Sequence, residues 1–135
     1  RRYFMQKTAA RAYSSNKLGT STPGDLTMML YNGAIKYCNL AIDALKKRDY
    51  AQCNDNIHKT KNIIVHFREQ LDRKYEVAKD FDLIYDYIYW TLTQANVNKD
   101  MAMLEESLNR IREIRDTWAQ VMRIAKKEFG HYQQA

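Results

Sequence analysis

Few residues able to do chemistry stand at spacings that would let them do it. The three histidines are His58, His66 and His131. None belongs to a His-Glu-x-x-His pair, which sets two imidazoles on one helix face for zinc. Glu128-Phe129-Gly130-His131 has the Glu-x-x-His spacing of a di-iron bundle. Such a centre needs two of these motifs and two further inward carboxylates. Asp80, Asp82 and Asp86 suggest a calcium loop, but the loop's central glycine and closing glutamate are missing. They read more simply as carboxylates placed at the positive end of a helix. Cys38 and Cys53 are too few for a disulfide framework, and Cys38 reads as a buried thiol on a helical stripe. There is no glycine-rich phosphate loop and no nucleophile elbow. The pattern predicts no enzyme, no metal and no cofactor.

The elements that would position these groups are helices. The chain has 135 residues with only one proline and four glycines, too little turn chemistry for a sheet protein. That length suits one domain with a substantial core. No run approaches the ~20 apolar residues of a membrane span, and the N-terminal residues lack the apolar stretch of a signal peptide. A reducing cytoplasm is the expected compartment. Residues 1–22 are rich in Ala, Ser, Thr and Asn and have no sustained apolar period. They read as a flexible arm with a short helical piece around Ala9 to Tyr13.

Thr22 then stands at an N-cap, Pro23 at the first helical position and Asp25 three residues after the cap. That first helix runs to Lys47. A second, capped by Asp49, spans about Tyr50 to Lys74 with the stripe Cys53, Ile57, Thr60, Ile64, Phe67 and Leu71. A third, from about Asp80 to Val97, carries Phe81, Ile84, Tyr85, Ile88, Leu92 and Ala95 on one face. A fourth begins at Met101, with Leu104, Leu108, Ile111, Trp118, Met122 and Ala125 in its stripe. Short connections between long helices predict an all-α fold, an antiparallel up-down-up-down four-helix bundle over 23–128, followed by a tail over 129–135.

Two of these helices have more apolar surface than a bundle consumes. On the first, Leu26, Leu30, Gly33, Tyr37, Ala41 and Ala44 form one stripe, and Met28, Tyr31, Ile35, Cys38, Ile42 and Leu45 a second. On the third, Leu83, Tyr87, Trp90 and Val97 lie across from the Phe81-to-Ala95 face. Either the arm and neighbouring helices cover the surplus, or an apolar groove receives another polypeptide. A third arrangement is a homodimer joined through the spare stripe of the first helix. The net charge of +6 raises nucleic acid as a partner. The cations are interleaved with Glu105, Glu106 and Glu113, however, as on a solvated, salt-bridged face, and the helices are too long for a helix-turn-helix.

Thr22-Pro23-Gly24-Asp25-Leu26-Thr27-Met28-Met29-Leu30-Tyr31-Asn32-Gly33 resembles the opening of the flagellin-specific export chaperones of bacterial flagella, the FliS family. Asn62-Ile63-Ile64, Tyr85-Asp86-Tyr87 through Leu92-x-x-Ala95-Asn96, Asn98-Lys99-Asp100 and Asp116-Thr117-Trp118 agree in order and spacing. The resemblance covers residues 12 to 122, and it departs at Tyr89-Trp90, where many members carry basic residues. It implies a cytoplasmic four-helix bundle that holds the disordered C-terminal segment of flagellin, keeps it from polymerising and helps deliver it to the export gate. It also implies a mobile N-terminal segment that covers the groove until the client displaces it. Together with the stripes, this points to Leu30, Ile57, Ile64, Tyr85, Ile88 and Tyr89 as client contacts. Tyr13 and Leu18 are the expected cover.

Overall fold

The computed structural model describes residues 2–16 and 24–133, with the side chains of 3–11 and 26–128. Five helices follow in order: α1 (Arg2–Asn16), α2 (Gly24–Lys46), α3 (Tyr50–Gln70), α4 (Val77–Asn98) and α5 (Met101–Gln133). No strand occurs among the described residues. The Thr22 cap, Pro23 and Leu18 lie outside them, as does the side chain of Tyr13.

The helix ends follow local chemistry. The Asp49 carboxylate accepts a hydrogen bond from the Gln52 amide at 3.2 Å, as a capping aspartate does. Asp100 does the same for the Met103 amide at the start of α5. Arg48 and Lys99 close α2 and α4 in left-handed conformations, with φ of 59° and 48°. α3 stops at Gln70, short of Lys74, and α4 starts at Val77 rather than Asp80. Asp82 and Asp86 do not serve the N-terminus of α4. Asp82 pairs with Arg68 at 3.0 Å and Arg73 at 3.2 Å, and Asp86 pairs with Arg68 at 3.2 Å, clamping α3 to α4.

Contacts tie α2 to α3, α3 to α4, α4 to α5 and α5 back to α2, so these four helices enclose one core. In each pair the residue numbers rise on one helix as they fall on the other. Gly33 meets Ile63 and Tyr37 meets Lys59, while Asn96 meets Asn54 and Asp82 meets Arg68. Thr91 meets Ser107 and Phe81 meets Trp118, while Cys38 meets Leu104 and Asn32 meets Arg115. The core stripe of α2 is Thr27, Tyr31, Ala34, Cys38 and Ala41. Tyr31 and Cys38 come from the second sequence stripe and Ala41 from the first, while Thr27 and Ala34 belong to neither, so the buried seam runs between the two expected stripes. On α5 the stripe passes through Ile114, leaving Arg115 to reach Asn32 and Asp116.

Aromatic rings fill the centre. Phe67 stacks on Tyr31 with centroids 4.2 Å apart and lies 5.9 Å from Tyr85. The buried hydroxyls of Tyr31 and Tyr85 share a hydrogen bond, and the Trp118 indole N–H donates to Tyr85 at 3.0 Å. One polar chain therefore links α2, α4 and α5 inside an apolar core, where its groups are satisfied only in the correct register. Burial holds both phenols above the ordinary tyrosine range, Tyr85 at about 12.

The N-terminal segment differs from the expected arm with a short helical piece. Residues 2–16 form one continuous helix that packs chiefly on α5, with a lighter contact to α4. Ala9 and Ala10 are fully buried there, and Met5 packs against the core. Small side chains let α1 approach α5 closely, and alanine has the highest helix propensity. This is why a segment without an apolar period is helical. α5 likewise continues through the expected tail to Gln133.

Candidate functional site

An exposed apolar row follows α4. Leu83 (70% exposed), Tyr87 and Trp90 (50%) succeed one another at steps of four and three, and Val97 (73%) follows seven residues on, past the half-buried Gln94. They point away from the core that takes Phe81, Tyr85, Ile88, Leu92 and Ala95. A row of apolar groups this long on one face marks a surface meant to be covered.

A groove of about 470 Å3 lies at one end of this row. Leu83, Ile84 and Tyr87 of α4 form one wall; Arg110, Glu113, Ile114 and Thr117 of α5 form the other; Met5 of α1 also lines it. Its volume falls within the ~300–1,000 Å3 of clefts that hold ligands, and its lining is mostly apolar with a few convergent polar groups. Beyond Met5 the row continues uncovered through Trp90 to Val97.

The polar groups at the rim are held in place by one another. The Tyr87 hydroxyl donates to Glu106 at 2.9 Å, and its ring stacks with Trp90 at 6.2 Å. Arg110 sits 6.0 Å from the centre of the Tyr87 ring and binds Glu106 at 3.2 Å and Glu113 at 3.0 Å. The hydrogen bond from Tyr87, and then Arg110, lower the Glu106 carboxyl; the bond to Glu106 raises the Tyr87 phenol. This rim presents two rigid aromatic faces beside a fixed guanidinium, the residue types enriched at protein interfaces. Both rim carboxylates, Glu106 and Glu113, are engaged by Arg110. Among the described residues no three His, Cys, Asp or Glu side chains gather as metal ligands would.

The residues expected to contact a client are placed differently. Ile57, Ile64, Tyr85 and Ile88 are fully buried and present no surface in this conformation. Their aliphatic bulk at helical spacing serves the core. Leu30 and Tyr89 are half-buried, on α2 and α4 respectively, and Lys61 stands 4.5 Å from the centre of the Tyr89 ring. The structure therefore does not bring the six together in one site. Tyr13 belongs to α1 by its backbone alone, and Leu18 is not described. Reading the sequence missed Met5, Arg110 and Glu113 as groove residues, and found Leu83, Tyr87, Trp90 and Val97 without selecting them. A signal for the outer face was present: Gln94 stands at the seam position between Trp90 and Val97.

The family model described as Flagellar protein FliS matches residues 5–125, from Met5 on α1 to Ala125 near the end of α5. A flagellar secretion chaperone FliS from Bacillus subtilis is 38% identical over 117 residues, covering 87% of this chain and 88% of that protein. Its namesake in Vibrio cholerae is 29% identical over 108 residues, covering 78% and 79%. That of Campylobacter jejuni is 28% identical over 120 residues, covering 87% and 94%. The matched span includes α1 and every helix of the core, so the chain belongs to the FliS family of flagellar proteins.

Proposed function

We propose that this chain is a cytoplasmic flagellar export chaperone whose client is the disordered C-terminal segment of flagellin. Its body is the up-down-up-down bundle of α2 to α5, and α1 is the removable cover. A single observation carries the reading: the exposed row Leu83, Tyr87, Trp90 and Val97 runs out of a groove that Met5 of the chain's own N-terminal helix helps to line. A surface that accepts one helix of low apolar content accepts a more apolar one better.

The mechanism is binding without catalysis. The client segment folds as a helix along α4 and sets apolar side chains at i, i+4 and i+7 against the row, in the manner of a helix in a groove. Each large apolar side chain so buried contributes ~1.5–3 kcal/mol gross, and ordering the client offsets several kcal/mol of the total. While held, the segment cannot pair with other flagellin copies, and the complex carries it to a component of the export gate. Docked α1 competes for the groove; its contacts through Met5, Ala9, Ala10 and the 3.5 Å Lys7–Glu128 pair are few enough to yield. Tyr89, beside Lys61 of α3, and Leu30, on α2, lie off this path.

Titration calorimetry of the full chain with a flagellin C-terminal segment, at two salt concentrations, tests this. One-to-one binding with a negative heat-capacity change and little salt dependence supports it. Absence of binding refutes it. Affinity that instead appears only with DNA and falls steeply with salt would assign the basic charge to nucleic acid.

A further inference from the structure

The positive charge of this chain is not spread over it. Residues 1–22 hold five Lys and Arg and no Asp or Glu, and residues 123–135 hold three and one. The 100 residues between them hold 14 and 15. That leaves the four-helix body one charge negative and the two ends seven positive, against +6 for the whole chain.

The fold brings those ends together. α4 begins four residues before Phe81, which faces Trp118, and α2 begins eight before Asn32, which faces Arg115. Both helices run out near residue 123 of α5, while α5 continues for about three more turns. α1 lies on α5 there: Lys7 reaches Glu128, and Tyr3 and Gln6 share a recess with Gln120 and Arg123. Arg11, Arg123, Lys126 and Lys127 are exposed on this pair of helices. So much charge of one sign opposes packing of the pair by self-repulsion, so its use is in binding.

The aromatic residues beside the cations say what is bound. Phe4 is 74% exposed and shares a shallow recess of about 180 Å3 with Lys7, Thr8 and Arg11. Tyr3, 62% exposed, stands beside Arg123. α1 packs on the body through Ala9 and Ala10, so neither ring is needed to hold it there. Exposed rings next to Lys and Arg suit the boundary between lipid headgroups and acyl chains. We propose that the α1–α5 end of this chain docks reversibly on a membrane surface rich in anionic lipid. Phe4 and Tyr3 enter the headgroup layer, and the cations around them meet lipid phosphates. No described helix is long and apolar enough to cross a bilayer, so the chain lies on the surface. Two rings bury too little to hold a neutral bilayer; the cations supply the rest, ~fivefold in affinity each. Nucleic acid would answer the same charge. Two rings in separate recesses, however, do not make the continuous stacking platform that a strand needs, whereas the plane of a bilayer accepts both. The site is exposed while α1 stays docked, so its occupancy does not depend on the identity of the client.

Co-sedimentation of the full chain with phospholipid vesicles, in the absence of client, tests the proposal. Vesicles of phosphatidylcholine with about a third phosphatidylglycerol should bind the chain, and phosphatidylcholine alone should not. Raising salt from ~50 to ~500 mM should release it. Lys126→Gln with Lys127→Gln should weaken binding ~25-fold, and Phe4→Ser ~fivefold. Lys46 and Lys47 stand at the far end of α2, ~30 Å along the bundle and about three Debye lengths from the site at ~0.1 M salt. Lys46→Gln with Lys47→Gln should therefore change binding less than about twofold. All these positions are exposed, so circular dichroism should show every variant folded. Equal binding to both kinds of vesicle overturns the proposal. So does a Phe4→Ser variant that binds like the original, or a loss at Lys46 and Lys47 as large as at Lys126 and Lys127. Absence of vesicle binding overturns it too, and duplex DNA bound instead would assign the charge to nucleic acid.

Discussion

Removing the Tyr85 hydroxyl should reveal how the core fixes its register. In Tyr85→Phe two buried hydrogen bonds vanish together, the one shared with Tyr31 and the one received from Trp118. A buried hydrogen bond contributes ~1 kcal/mol net, and stranding its partner costs ~1–3 kcal/mol, so the loss should be ~2–4 kcal/mol. Tyr31→Phe removes only the shared bond and should cost ~1–2 kcal/mol. The double variant deletes the same two bonds as Tyr85→Phe alone. It should therefore be no less stable than that single variant, giving a coupling of ~1–2 kcal/mol. The Phe67 ring keeps both stacking partners in every variant, so packing changes little. Urea unfolding followed by circular dichroism, with a common slope, measures each value. At this chain length Tyr85→Phe should also lower the thermal midpoint by ~8–15 °C. Additive losses in the cycle would refute the reasoning, since they would mean the two hydroxyls act independently.

Three further outcomes follow from the same geometry. Trp90→Ala should weaken flagellin-segment binding ~10–30-fold in calorimetry, as for an aromatic anchor at an interface, while urea stability stays within ~0.5 kcal/mol because the ring is half exposed. Ala10→Glu should force α1 off α5 and raise client affinity about tenfold by emptying the groove, read by the same titration. Stability should fall as pH rises past 10, where the unfolded tyrosines ionise, and keep falling until the folded Tyr85 ionises at about 12; unfolding titrations between pH 9 and 12 check this.

Much of the fold was legible because helix chemistry is local. The Asp49 cap, the Asn98-Lys99-Asp100 turn and the face running from Phe81 to Ala95 needed only spacing and residue type. α1 was harder to read, since its burial depends on two alanines, Ala9 and Ala10, which carry almost no apolar signal. The site was less legible still. Ile57, Ile64 and Ile88 have the residue type and spacing of groove anchors and of core residues alike, and only the positions of neighbouring helices decide between them. Tyr85 and Tyr87 show this within one turn: one tyrosine hydrogen-bonds inside the core, and the other reaches Glu106 at the surface. On α2 the buried seam runs between the two apolar stripes through Thr27 and Ala34, a polar and a small residue that carry little apolar signal.

The exchange of α1 for a client helix is the centre of the functional account, and amide hydrogen exchange tests it most directly. The full chain is compared free and saturated with a flagellin C-terminal segment. The account predicts faster exchange across residues 2–16 in the complex, as the released helix opens, and slower exchange along 83–97, as α4 is covered. Unchanged protection of residues 2–16, with new protection arising away from α4, would contradict it.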